Sequence, residues 1–214
     1  MKKLIATIRT GVNTMARMKL PMTGLLLLSL TTLVYAQETA VPAARESDYY
    51  PLKKDTVWTF KAPGGSVQMK VTGKEKIGTE DASKIETIVN GKSVATEHVV
   101  VREDGIYRVS INGQKPETPV KFFALPPGKE TSWEIKTKIQ NQDVKGKFVA
   151  KEEDVTVPLG KYKARLVEGT DFEIAGMKTT VKYWFAEKVG IVKLSFSIGG
   201  QDAVLELEKY EPAK

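Results

Sequence analysis

Cysteine is missing from the 214 residues, and histidine occurs once, at His98. Without cysteine there can be no disulfide framework, thiol catalysis or thiolate metal site. A zinc site would have to be built from three or more carboxylates, which is not the usual ligand set. A single imidazole leaves His98 as the sole candidate base for a serine or threonine nucleophile, and no G-x-S-x-G elbow accompanies it. His98 shares one strand face with Thr96, Val100 and Arg102, and the expectation is a solvated strand histidine. Helical periodicity is lacking too: after Tyr49 no window repeats apolar residues at three and four over ten or more positions.

Long hydrophobic runs are scarce. The longest is Gly24–Val34, "GLLLLSLTTLV", short of the about 20 apolar residues that a membrane-spanning helix needs. It follows Lys2, Lys3, Arg9, Arg17 and Lys19, with no acidic residue before it, and ends in the small-x-small pattern Val34-Tyr35-Ala36. A basic region, a short apolar region and such a site read as a secretory signal peptide over residues 1–36, cleaved after Ala36, with an uncleaved anchor as the alternative. Gln37 at the next position leaves no cysteine for a lipid anchor. The expected location is periplasmic or secreted, with no stable membrane span after cleavage.

Charge supports the same division. The whole chain carries 33 Lys and Arg against 26 Asp and Glu. Removing the five cations of residues 1–36 leaves 28 against 26, a net charge of +2 on 178 residues. A nucleic-acid footprint needs a concentrated basic face, so no nucleic-acid partner is expected. Residues 37–48, "QETAVPAARESD", lack any period and read as a flexible linker. Residues 49–214 then suit a single β domain with a core large enough to need no staples.

Within that domain short alternating runs recur between Gly, Asn, Asp and Pro punctuation. Asn90-Gly91, Asp104-Gly105 and Gly199-Gly200 read as tight hairpin turns, because these dipeptides tolerate positive φ. About twelve strands follow, from "TVWTFK" to "AVLELEKY". The predicted fold is all-β, an antiparallel meander closing into a strongly curved sheet or barrel, since open twisted sheets rarely exceed about ten strands. A two-sheet sandwich fits the alternation equally well.

Other patterns carry no chemistry. "NGKS" at Asn90–Ser93 ends like a phosphate-binding loop, but Glu86 stands where the first glycine belongs. Glu152, Glu153 and Asp154 lack the alternating oxygens of a calcium loop and read as a strand-end charge cluster. Alternate lysines such as Lys136 and Lys138 read as outward rows guarding sheet edges. No catalytic residue, metal or cofactor is assigned, and the chain is not expected to be an enzyme.

Two aromatic groups break the alternation. Trp184 lies on the polar row with Thr180 and Lys182, and "VKFFAL" places Phe122 and Phe123 on opposite faces. Burying each is worth about 2–3 kcal/mol, so something is expected to cover them. The cover is either internal, from residues 37–50, the Pro126-Pro127 loop or a second sheet, or external. An external cover makes Trp184 and Phe123 the candidate ligand-binding residues, for a lipid or other apolar ligand or for the surface of an envelope protein. The alternatives are an interaction module that adds a partner's strand to a sheet edge and a hydrolase with unassigned carboxylates.

Three stretches, "DYYPLKKDTVWTF", "VPLGKYKARLVEGT" and "KYWFAEKVGIVKLSF", resemble exported bacterial β-rich proteins of unknown function. These open on a Y-x-P-L-x-x-G-x-x-W-x-Y pattern and close on a Y-W-(F/Y)-A-x-x-V-G-(I/L)-V pattern. The likeness spans most of residues 48–210 and implies a curved sheet or barrel similar to periplasmic lipoprotein carriers. It supplies no catalytic residues. It also implies that "YWFA" and "VGIV" are two arms of one hairpin. Asp55 departs from it, standing where the opening pattern has glycine.

Overall fold

A computed structural model describes residues 45–128, 130–198 and 200–214. The expected signal peptide, and the linker as far as residue 44, lie outside the described residues. Everything described below lies within one compact unit, residues 40–214.

Twelve strands form, one for each alternating run: β1 Val57–Ala62, β2 Gly65–Ile77, β3 Glu80–Val89, β4 Lys92–Arg102, β5 Gly105–Ile111 and β6 Val120–Ala124. They continue as β7 Glu130–Ile139, β8 Gln142–Val157, β9 Gly160–Ile174, β10 Met177–Ala186, β11 Gly190–Ile198 and β12 Gln201–Glu211. All belong to one antiparallel sheet, in the order β6-β5-β4-β3-β2-β1-β12-β11-β10-β9-β8-β7. The sandwich alternative is thereby corrected, because a single sheet curls into a nearly closed barrel once its first strand pairs with its last. No helix occurs among the described residues.

The edge strands β6 and β7 meet across a seam without a ladder between them. There the Trp133 indole N–H donates to the Lys121 carbonyl at 2.8 Å. The Thr118 N–H donates to the Thr137 hydroxyl at 2.8 Å, and the Glu117 N–H to the Lys138 carbonyl at 3.0 Å.

The turns follow residue chemistry, with one shift. Asn90 and Gly91 both take positive φ, as a type I′ turn requires. Arg102 pairs with Gly105, so the next turn is Glu103-Asp104, one residue earlier than expected. Gly105 serves close approach instead: a Cβ there would stand 2.6 Å from the Phe123 carbonyl oxygen. "YWFA" and "VGIV" do form one hairpin, with Ala186 opposite Gly190.

Aromatic side chains fill the interior. Tyr50, at 1% exposure, plugs the end where the chain enters, against Trp58, Phe122 and Phe185. The alternation that set Phe122 and Phe123 on opposite faces fails at a register shift. Ile106 pairs with Phe123 and Tyr107 with Lys121, so Phe122 is an extra, unpaired residue and both rings turn inward onto Phe185. One ion pair sits among the rings. The Arg108 guanidinium bonds Glu97 at 2.9 Å and lies 4.1 Å over Phe122 and 5.3 Å from Tyr183. Burial opposes its charge, but the charge and hydrogen bond of Glu97, together with Tyr183 and Tyr50, outweigh that and raise its pKa. Burial also raises the pKa of the neighbouring Tyr50 phenol, with Glu97 adding to the effect.

His98 departs from the solvated expectation. It is only 6% exposed, and its Nε2 lies 3.0 Å from Glu75. Val100, two residues on along the same strand face, belongs to a small apolar cluster with Ala82 and Val109, packed with Ile77 and Tyr107. The His98 Nδ1 is buried without a partner among the described residues.

Candidate functional site

The segment before β1 is an arm pinned at three heights. The Lys188 N–H donates to the Asp48 carbonyl at 2.6 Å, and the Ser83 hydroxyl to the Leu52 carbonyl at 3.4 Å. The Asp55 N–H donates to the Val71 carbonyl at 2.8 Å. Pro51 and Tyr50 lie on Gly190, whose φ is +95°. A Cβ there would stand 3.2 Å from Tyr50 and 3.3 Å from both Pro51 and Trp58. The Trp58 indole N–H donates to the Val189 carbonyl at 2.6 Å. The opening and closing motifs of the chain are therefore one contact.

Between that arm and β2–β4 lies a groove of about 670 Å³. Leu52, Val99 and Val101 give it an apolar lining, and its rim is charged. Three cations of the rim have an acidic partner: Arg45 has Glu103 at 3.8 Å, Lys53 has Glu46 at 3.9 Å and Arg102 has Glu80 at 2.8 Å. Glu80 grips Arg102 through both Nε and Nη2, and this hydrogen bonding raises the pKa of the guanidinium further. Lys54, Lys74 and Asp81 also line the groove, with no ion pair among the described residues.

A second recess, of about 490 Å³, is lined by Tyr49, Glu152, Glu153, Asp154, Arg165 and Glu187, among others. The three consecutive acids therefore line a concavity within β8 instead of marking a strand end. Among the described residues no group of three or more His, Asp or Glu is placed to hold a metal ion.

Trp184 and Phe123 both stand behind this recess. The Trp184 indole is 8% exposed. It lies on the outward row, opposite Lys193 and Leu166, and donates to Glu153 Oε1 at 2.9 Å under the Lys193 ammonium. Its cover is its own chain. The β8–β9 turn reaches β12, where the Leu159 N–H donates to the Leu207 carbonyl at 3.0 Å. Val155, Ala164 and Leu166 of that hairpin join Trp184 in one apolar cluster. Phe123, 1% exposed, stacks on Tyr49 with centroids 5.1 Å apart. Sequence reasoning passed over Leu52, Lys54 and Lys74. The lysines look like ordinary surface cations, and the arm has no period to mark which way a side chain faces.

No protein-family model and no curated protein matches the chain. It is similar to the solved structure of a candidate lipoprotein from Parabacteroides distasonis, at 13% identity and a TM-score of 0.47 over 78% of this chain and 100% of that one. It is also similar to a candidate exported protein with a YmcC-like fold from Bacteroides fragilis, at 11% identity and a TM-score of 0.40 over 77% of this chain and 99% of that one.

Proposed function

We propose that this chain is a non-enzymatic exported protein of the cell envelope that binds an amphipathic ligand in the groove between its N-terminal arm and β2–β4. The groove itself carries this reading. Its size falls within the ~300–1,000 Å³ of small-ligand sites, and an apolar lining under a charged rim suits a molecule with one end of each kind. Export rests on the basic and apolar character of residues 1–36. The filled interior supports binding at the barrel's end over carriage through its centre. In this reading Trp184 and Phe123 back the acidic recess and shape the barrel without touching the ligand first.

The test is a titration with single-chain amphiphiles below their micelle concentration, followed by backbone amide shifts. The shifts are expected to centre on Leu52, Val99 and Val101. Leu52→Asp, which sets a charge on the apolar lining, is expected to weaken binding by about tenfold or more. Shifts confined to other parts of the barrel, or unchanged affinity in the variant, would refute the proposal.

A further inference from the structure

Resting on that groove reading, we infer that the ligand is a single-chain amphiphile with an anionic headgroup, and that Lys54 and Lys74 receive the head. The rim of the groove has positive charge left over. Arg45, Lys53 and Arg102 are matched by Glu103, Glu46 and Glu80. Lys54 and Lys74 have no such match among the described residues, although an acid follows each of them directly in sequence.

Both of those acids are engaged elsewhere. Asp55 bonds Lys70 at 3.2 Å. Glu75 bonds Lys84 at 2.8 Å and His98 at 3.0 Å. Strand alternation sends Glu75 to the face opposite Lys74, and hydrogen bonds from Lys84 and then His98 hold its carboxyl below the usual range. The sheet thus draws away the anions that would otherwise quench the two lysines and leaves both cations on the groove. Asp81 is the opposing charge, one against two. An anionic head between Lys54 and Lys74 would complete the rim while the tail lies on Leu52, Val99 and Val101.

Calorimetry on the full chain with laurate, dodecyl maltoside and dodecylamine, each below its micelle concentration, separates the cases. Laurate is expected to bind about tenfold more tightly than the neutral maltoside, the scale of one well-placed charge contact. Dodecylamine is expected to bind weakest. Lys54→Gln with Lys74→Gln should erase the preference for laurate and leave the maltoside unchanged, and Asp81→Asn should tighten laurate alone. Added salt should weaken laurate and spare the maltoside.

Equal affinity for laurate and maltoside, or a laurate affinity that the double variant does not lower, would overturn the assignment while leaving the groove reading intact. Binding that Leu52→Asp does not weaken for any probe, or the absence of binding by all three, would overturn the groove reading together with the assignment. Near-ultraviolet circular dichroism of each variant confirms that the comparison is between folded proteins.

Discussion

Where β1 meets β12, the sheet closes with a backbone ladder from Val57 opposite Glu211 to Lys61 opposite Glu206. Where β6 meets β7, it closes with an indole, a hydroxyl and one backbone bond outside any strand pairing. A ladder satisfies peptide groups whatever the side chains are, so its strength is spread along the strands. The seam concentrates the same duty on a few groups, and losing any one of them exposes an unpaired donor or acceptor. β6 is also short, and Pro119 precedes it, which limits pairing by an outside strand. The barrel therefore has a strong closure and a conditional one, and opening is expected at the second.

The largest effect should come from the buried ion pair that backs β6. Arg108 lies over Phe122 of β6, and among the described residues Glu97 alone matches its charge at hydrogen-bond distance. Glu97→Ala leaves a buried guanidinium unpaired and should cost about 3 kcal/mol. Hydrogen exchange should rise first in β5 and β6. Faster exchange in β1 and β12 first, at an unchanged urea midpoint, would remove the distinction between the two closures. Gly190→Ala attacks the ladder side, where φ is +95° and Tyr50, Pro51 and Trp58 leave little room for a methyl group. It should cost about 2 kcal/mol, read as a lower urea midpoint with faster exchange around Trp58. Trp133→Phe keeps the ring and deletes only the N–H that reaches Lys121. About 1 kcal/mol is expected, with exchange rising on β6 and β7 and unchanged on β1 and β12. A global loss of protection would mean that the seam is no weaker than the ladder.

These contrasts also mark what the sequence could reveal. Period-two alternation located every strand, because a half-buried strand repeats its instruction every second residue. It failed where one residue is added to a strand. Phe122 is such a residue, and nothing in "VKFFAL" says which of two phenylalanines is unpaired. Trp184 is a different case: its outward direction was legible, but its cover includes Glu153, 31 residues away on a hairpin that curls to β12. His98, also buried, meets Glu75 from a neighbouring part of the sheet, 23 residues away in sequence. The groove was the least legible feature, since the arm has no periodicity and the charges on Lys54 and Lys74 acquire meaning only once Asp55 and Glu75 have turned away. The two terminal motifs, by contrast, were visible as text. Their meaning, Tyr50 and Pro51 lying on Gly190, needed the fold.

Asp55 gives the smallest and most diagnostic prediction. Its φ is +73°. Left-handed backbone costs an L residue about 1–2 kcal/mol, somewhat less for aspartate, whose short side chain can bond locally. The ion pair with Lys70 offsets little of this, because the Asp55 carboxylate is 61% exposed and water screens it. Glycine would relieve the strain while keeping the N–H bond to Val71, but would add disorder to the unfolded chain. Asp55→Gly should therefore stabilise by about 0.5 kcal/mol, and Asp55→Ala, with the strain kept and the ion pair lost, should destabilise by a similar amount. Because Asp55 and Val71 lie at the foot of the β1–β2 pairing, both changes should register in exchange near the ladder and leave β6 and β7 untouched. A urea midpoint that falls for glycine as far as for alanine would show that the Lys70 contact, and not the backbone, holds the arm at this height.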